Sequence, residues 1–196
     1  ASNQGFEEDV ARAVSEHYLP TSISSAIPKK PISYGLSIID KLDTLVGFFL
    51  INEKPTSSKD PFALRRSSIG LLRTVIENNL RLSSRDLIDH MIRIYTEQGV
   101  KEINQNTNLE LIKFFRDRMK NILKEKKIRP DIIEASVSSH INDDFLELYK
   151  KTIVMNKFIS KDLGKNAVST YKRASNILDR EKNISKNGPD AVLFKQ

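Results

Sequence analysis

The stretch Ile38-Ile39-Asp40-Lys41-Leu42-Asp43-Thr44-Leu45-Val46-Gly47 has apolar residues around the whole circumference of a helix and carries two carboxylates three residues apart. A helix with this pattern is expected in the centre of a protein, where buried charges need partners. The next informative stretch is Thr56-Ser57-Ser58-Lys59-Asp60-Pro61-Phe62-Ala63-Leu64-Arg65-Arg66. Because Asp60 suits an N-cap and Pro61 suits the first helical position, this stretch predicts a helix that begins at residues 60 and 61.

The two adjacent arginines of this second helix are expected to have different roles. Arg65 falls within the apolar row of the helix, whereas Arg66 and Arg73 fall on its polar side. A guanidinium in a core row needs a carboxylate, because an unpaired buried charge costs several kcal/mol. We therefore expect Arg65 to form a structural ion pair. Its candidate partners are Asp40, Asp43 and Asp60.

The rest of the chain is a succession of amphipathic segments with helical periodicity. No run of alternating apolar residues is bounded by turns, so strands are not expected and the predicted class is all-α. The predicted helices are 6–18, 32–50, 61–79, 84–98, 107–127, 130–139, 142–159 and 161–181. Together they predict one domain over residues 1–181, followed by a loose C-terminal tail over residues 182–196.

The composition limits the chemistry of the chain. Its 196 residues contain no cysteine, which excludes disulfides, thiolate zinc sites and cysteine nucleophiles. No apolar run reaches the roughly 18 residues of a membrane span, and the first residues do not resemble a signal peptide, so we expect a cytoplasmic protein without a membrane partner. The chain begins at Ala1 without an initiator methionine, which suggests a piece of a longer protein.

The net charge of +7 is concentrated in one segment, residues 113–129, where eight lysines and arginines stand against two acids. A weaker excess lies in residues 161–186, with seven basic residues against three acidic ones. Such clusters are typical of surfaces that bind polyanions, although many basic runs are only solvated helix faces. The candidate RNA-binding residues are Arg66, Arg73, Lys113, Arg116, Lys120, Lys124, Lys127, Lys172 and Arg173.

Several motifs resemble one known family. They are Asp40-Lys41-Leu42-Asp43-Thr44-Leu45-Val46-Gly47, Lys54-Pro55-Thr56, Lys59-Asp60-Pro61-Phe62-Ala63-Leu64-Arg65-Arg66 and Gly70-Leu71-Leu72-Arg73. Upstream and downstream stretches are Glu8-Asp9-Val10-Ala11, Glu16-His17-Tyr18-Leu19-Pro20 and Lys172-Arg173-Ala174-Ser175-Asn176-Ile177-Leu178. Together these stretches closely resemble the β subunit of the bacterial two-subunit glycyl-tRNA synthetase. The resemblance runs from about residue 5 to about residue 180, which implies an internal fragment of a longer subunit.

The resemblance implies a role in an α2β2 ligase that joins glycine to tRNA(Gly). The α subunit of that family carries the adenylation site, which uses ATP and Mg²⁺, and the β subunit chiefly binds tRNA. The matched region is the β subunit's HD-like helical domain. We therefore expect an HD-domain-like bundle of about eight helices that contacts tRNA(Gly) or the α subunit and is not itself catalytic.

The relation to HD-type hydrolases leaves a second reading open. Asp40 occupies the position of a metal-binding aspartate in those enzymes, but Asn3-Gln4-Gly5 stands where relatives show a His-Asp pair. One carboxylate is a poor metal site, so we expect neither a metal, a cofactor nor a catalytic residue in this fragment. The alternatives are a residual metal-dependent phosphohydrolase and a packing domain that contacts neighbouring domains or the α subunit.

Overall fold

The computed structural model describes residues 5–22, 24–101, 103–139 and 143–180. These residues form eight helices and no strand, so the all-α prediction is confirmed. The helices are α1 (Glu8–Glu16), α2 (Pro31–Leu50), α3 (Leu64–Glu77), α4 (Ser84–Glu97), α5 (Thr107–Glu125), α6 (Pro130–Ser139), α7 (Phe145–Ile159) and α8 (Asp162–Arg180). Within the described residues, no helix is both long and apolar enough to span a membrane.

The chain divides into two compact units, Ala1–Ile153 and Val154–Gln196. The boundary falls within the residue range of α7. The predicted single domain over residues 1–181 stays a prediction. The predicted tail, residues 182–196, lies outside the described residues.

The core of the first unit is built around α2, which packs against α1, α3, α4 and α5. The apolar side chains on its inner side are almost completely removed from water, as predicted for a central helix, but Ile32, Leu36 and Ile39 are exposed, so α2 is not buried all round. The most deeply buried are Leu45, Val46, Phe49 and Leu50. Each such side chain stabilises the fold by roughly 1.5–3 kcal/mol.

The start of α3 differs from the predicted one. The helix begins at Leu64, after Ala63 adopts a left-handed backbone with φ 55°. The Asp60 carboxylate still caps the helix, because it accepts hydrogen bonds from the backbone N–H groups of Leu64 at 2.8 Å and Arg65 at 3.1 Å. Pro61 thus lies in a turn between the capping carboxylate and the helix, so its predicted place at the first helical position is wrong.

The charges of α2 are distributed differently from the prediction. Asp40 and Asp43 are both exposed to solvent, so neither needs a buried partner. The buried charge is Lys41, whose exposed fraction is only 5%. The expectation that the two carboxylates must be neutralised inside the core is therefore wrong, because they lie on the solvent side of the helix.

The ammonium group of Lys41 is bound by three neutral oxygens. Nζ donates hydrogen bonds to the carbonyls of His17 at 3.0 Å and Leu19 at 2.8 Å, and to Oγ of Ser37 at 3.0 Å. Gly70 of α3 passes so close that a Cβ there would lie 3.0 Å from Cε of Lys41. Lys41 therefore joins α2 to the segment that follows α1, directly beneath α3.

Burial lowers the pKa of Lys41 to about 8, and the nearby charge of Asp40 offsets part of this effect. The free energy of removing the ammonium group from water disfavours its protonated form. In the unfolded chain the same amine has its ordinary pKa of 10.5. Above about pH 8 the unfolded chain therefore binds more protons than the folded one.

We predict that Lys41 makes the folded state more stable as the pH rises from about 8 to about 10. The difference in unfolding free energy between the wild type and Lys41→Met should then shift in favour of the wild type by about 2 kcal/mol. Urea denaturation across this pH range measures the difference. Lys30→Met, at an exposed lysine, is the control and should show no such shift. A pH-independent difference for Lys41→Met would contradict the prediction.

Candidate nucleic-acid interface

Four basic residues of α5 lie on one side of the helix. Its opposite side is buried in the core through Leu111, Ile112, Phe115, Met119, Ile122 and Leu123. At about 100° per residue, the predicted cations on the outer side fall within an arc of about 80°. These residues, here called the α5 strip, are Lys113, Arg116, Lys120 and Lys124. Lys113 and Lys124 are exposed, whereas Arg116 and Lys120 are half-buried; Lys127, which follows the end of the helix, is exposed.

The charge of the α5 strip is only partly neutralised. Nζ of Lys120 lies 2.7 Å from Oε2 of Glu134 on α6. The hydrogen bond from Lys120 holds the pKa of Glu134 below its usual range. Lys113 and Lys124 are exposed. An extended positive surface on a rigid helix is suited to contacts with phosphates.

Arg118 lies on a different side of α5. Its guanidinium carbon stands 5.1 Å from the centre of the Phe114 ring, the geometry of a cation–π contact. The Phe114 ring packs in turn against Phe49 of α2, at 5.3 Å between centroids. Arg118 therefore covers a ring that packs on α2, and only part of the basic segment forms the α5 strip.

Arg73 was predicted to bind RNA, but the structure uses its guanidinium inside the fold. It donates hydrogen bonds to the carbonyls of Ser22 at 2.8 Å and Ser25 at 3.2 Å, and to the carboxylate of Glu77 at 2.9 Å and 3.1 Å. Its side chain is only 14% exposed. The prediction that Arg73 faces solvent is therefore wrong, because the connection between α1 and α2 covers it.

The predicted ion pair of Arg65 takes one of its three proposed forms. Nη1 of Arg65 lies 3.9 Å from Oδ2 of Asp60, and the guanidinium also donates a hydrogen bond to the carbonyl of Thr56. Within the described parts of the chain, Arg65 forms no ion pair with Asp40 or Asp43. The side chain is 31% exposed, so Arg65 lies at the edge of the core and not within it.

Asp43 instead pairs with a tyrosine of α4. The hydroxyl of Tyr95 donates to Oδ1 of Asp43 at 2.9 Å. Burial, followed by this hydrogen bond and the charge of Asp43, raises the pKa of Tyr95 to about 12. The carboxylate therefore fastens α4 to α2, a role that the sequence alone did not indicate.

Arg66 and Asp40 lie together at a concave surface between α2, α3 and the segment after α1. We call this cavity, whose volume is about 260 Å³, the Arg66 pocket. Its lining consists of Tyr18, Pro20, Thr21, Asp40, Lys41, Ala63, Arg66 and Ser67. The structure thus places Arg66, one of the predicted binding residues, in the same pocket lining as the buried Lys41.

The immediate surroundings of Asp40 are basic. Lys41 and Arg66 line the same pocket, and among the described residues of its lining Asp40 is the one carboxylate. Over the described ranges, no group of three or more His, Asp and Glu side chains is placed to hold a metal ion. His17 is the histidine nearest to Asp40 in the sequence. Its Nδ1 lies 2.7 Å from the carbonyl oxygen of Val14 in its own helix turn. Asn3 and Gln4 lie outside the described residues.

The last two predicted binding residues belong to the second unit. Lys172 and Arg173 are both exposed on α8. The same helix also exposes apolar side chains, among them Leu163, Tyr171 and Ile177. α8 therefore presents both a basic and an apolar surface within its own unit.

These features define an all-α protein with a basic helical surface. The sequence profile of the family described as "Glycyl-tRNA synthetase beta subunit" matches residues 1–138, and the chain belongs to this family. The family predicted from the motifs is thereby confirmed.

Individual relatives extend the similarity over most of the chain. The "Glycine--tRNA ligase beta subunit" of Rhodospirillum centenum is 37% identical over 202 residues, which cover 100% of this chain and 28% of the relative. The protein of the same name from Cereibacter sphaeroides is 40% identical over 174 residues, covering 89% and 25%. That from Paracoccus denitrificans is 37% identical over 178 residues, covering 91% and 24%. The chain spans about a quarter of the length of these relatives.

We predict that Arg73 contributes to stability and that Lys113 does not. Arg73→Ala leaves the carbonyls of Ser22 and Ser25 without their donor, so it should lower the unfolding free energy by about 2 kcal/mol. Lys113→Ala removes an exposed cation and should change it by less than about 0.5 kcal/mol. Urea denaturation of both variants measures the effects, and equal values would contradict the assignment of Arg73 to the fold.

Proposed function

We propose that this chain is a non-catalytic, tRNA-contacting part of the β subunit of a two-subunit glycine–tRNA ligase. The ligase attaches glycine to tRNA(Gly) in the cytoplasm, and ATP and Mg²⁺ act in its α subunit. Family membership supports the assignment to this subunit. The observation that carries the tRNA contact is the α5 strip, a row of cations held on the outer face of a helix by a buried apolar face.

The α5 strip fits contacts with phosphates and not the reading of bases. Lysine ammonium groups on flexible stems attract phosphates at any nucleotide sequence. The α5 helix fixes their spacing, because six of its side chains are anchored in the core. The chain would therefore position tRNA through its backbone, and affinity would depend strongly on salt.

The non-catalytic part of the proposal is supported by the Arg66 pocket. We take the helical bundle to be HD-like, as the motif resemblance implies. At the position where a hydrolase of that class needs a carboxylate to hold a cation, Asp40 is flanked by Lys41 and Arg66. Two positive charges beside the carboxylate oppose the binding of a divalent metal.

We predict that three lysines of the basic segment govern RNA affinity. The triple variant Lys113→Gln, Lys124→Gln and Lys127→Gln should bind tRNA more weakly, because binding with fewer phosphate contacts releases fewer counterions from the RNA. Its plot of log affinity against log salt should be shallower by about 2 to 3. Filter binding with tRNA(Gly) at several salt concentrations measures both effects.

The matched control removes three exposed lysines elsewhere in the first unit, through Lys30→Gln, Lys59→Gln and Lys101→Gln. This variant has the same net charge as the test variant. If both lose affinity equally, the α5 strip has no special role and the effect reflects net charge alone. Strong selectivity of the isolated chain for tRNA(Gly) over other tRNAs would also contradict contacts made only through phosphates.

A second candidate role, packing against other parts of the ligase, is favoured by α8. Leu163, Tyr171 and Ile177 are 71%, 75% and 59% exposed, and at about 100° per residue they fall within about 120° of one another. A helix whose apolar face is exposed is typical of an interaction surface. This face would then be covered in the assembled enzyme.

We predict that Leu163→Asn combined with Ile177→Asn weakens assembly of the complete ligase while leaving the unfolding of the isolated chain unchanged. Burial of two such side chains in an interface would contribute about 3 kcal/mol or more to assembly. Analytical ultracentrifugation of the whole enzyme measures assembly. The control pair, Ser169→Ala and Asn176→Ala, changes two exposed residues on the opposite face of α8. Unchanged assembly of the Leu163 and Ile177 variant would exclude this role.

A further inference from the structure

We propose that the Arg66 pocket binds a phosphate group, as free phosphate or as the terminal phosphate of an RNA. None of the α5 strip residues lines this pocket. The site therefore differs from the surface that carries the proposed function, and either can exist without the other.

The pocket has the shape and size of a small-anion site. Its volume is about 260 Å³. Since a water molecule occupies about 30 Å³ in the liquid, the cavity holds a phosphate together with several waters. Its walls come from three parts of the chain that the fold keeps together: the segment after α1, the middle of α2 and the first turn of α3.

Arg66 is the group that would bind the anion directly. Its side chain is exposed, and no hydrogen bond or ion pair of its guanidinium is found in the part of the chain that the structure describes. This contrasts with the neighbouring Arg65, which is held by Asp60 and Thr56. A free guanidinium presents a planar set of donors that matches two oxygens of a phosphate. The hydroxyls of Thr21 and Ser67 in the same lining add further donors.

Lys41 supplies charge without touching the ligand. All three protons of an ammonium group are accounted for by His17, Leu19 and Ser37, whose acceptors are neutral oxygens. Its positive charge therefore stays unneutralised by any directly bound carboxylate. Because Lys41 is buried and also lines the pocket, its field is weakly screened and reaches an anion in the cavity.

Among the lining residues that the structure describes, Asp40 is the group that opposes an anion. Its single negative charge stands against the two positive charges of Lys41 and Arg66. The lining is thus net positive, which favours a phosphate over a metal ion. Removal of the Asp40 charge is therefore expected to strengthen the binding of an anion and to weaken the binding of a cation, so the two ligands can be distinguished.

The test titrates the whole chain with inorganic phosphate at constant ionic strength near pH 6.5, where Lys41 is protonated, using isothermal titration calorimetry. Arg66→Gln should weaken binding on the order of tenfold, through loss of a charge-assisted hydrogen-bond pair. Asp40→Asn should strengthen it on the order of twofold to fivefold. The control Arg93→Gln removes an exposed charge from α4 and should have no effect. Since Asp40, Arg66 and Arg93 are all exposed, these variants should fold.

A second arm compares a short RNA carrying a 5′-phosphate with the same RNA carrying a 5′-hydroxyl. Preference for the phosphorylated RNA, lost in Arg66→Gln, supports the site with an RNA end as its source. Equal binding of the two RNAs, together with Arg66-dependent binding of inorganic phosphate, supports it with free phosphate as its source. The proposal is overturned if phosphate does not bind, if Arg66→Gln binds as the wild type does, or if Asp40→Asn weakens binding. The lysine variants of the α5 strip should leave the phosphate titration unchanged, so failure here is distinguishable from failure of the tRNA contact.

Discussion

The ammonium group of Lys41 constrains the centre of the first unit. A buried positive charge without a carboxylate is tolerated only if its protons all find acceptors, and two of the three acceptors are backbone carbonyls of residues 17 and 19. Those carbonyls point at Nζ only when the chain after α1 follows one path across α2. Ser37 reinforces this path, because its hydroxyl donates to the carbonyl of Leu19 at 2.6 Å. The charge therefore selects one conformation for a segment that has few apolar side chains of its own.

Side chains of α3 hold the next part of the same connection. The guanidinium of Arg73 binds the carbonyls of Ser22 and Ser25, and Nδ2 of Asn78 donates to the carbonyl of Pro28 at 3.0 Å. The irregular link between α1 and α2 is thus fixed to α3 through its backbone carbonyls, in addition to the burial of Ile27 in the core. One wall of the Arg66 pocket belongs to this link, so the pocket is shaped by the interactions that fix the fold.

The sequence predicted the regular parts of this structure and missed the polar interactions that join them. Helical periodicity identified the helices and the outward face of α5, because both depend only on which residues are apolar. The exposed position of Asp40 on α2 could also have been predicted, since Asp40 lies about 180° from the core residue Phe49 around the helix. The roles of Lys41 and Arg73 were not predictable from pattern. Their partners are backbone carbonyls, which every residue has, in a connection without periodicity.

Basic residues in this chain fall into two physical groups, and only one of them can serve a nucleic acid. Lys41, Arg65 and Arg73 use their donors on carbonyls and carboxylates of the fold, so part of the net charge of +7 is already committed. Lys113 and Lys124 project from a helix whose other face is buried, so their charge is available to a polyanion without any cost to stability. Arg66 shares features of both groups. It is exposed, as Lys113 and Lys124 are, but it lines the same pocket as the buried Lys41. A count of lysines and arginines therefore overestimates the binding surface, and the position of each side chain relative to the core decides what it can bind.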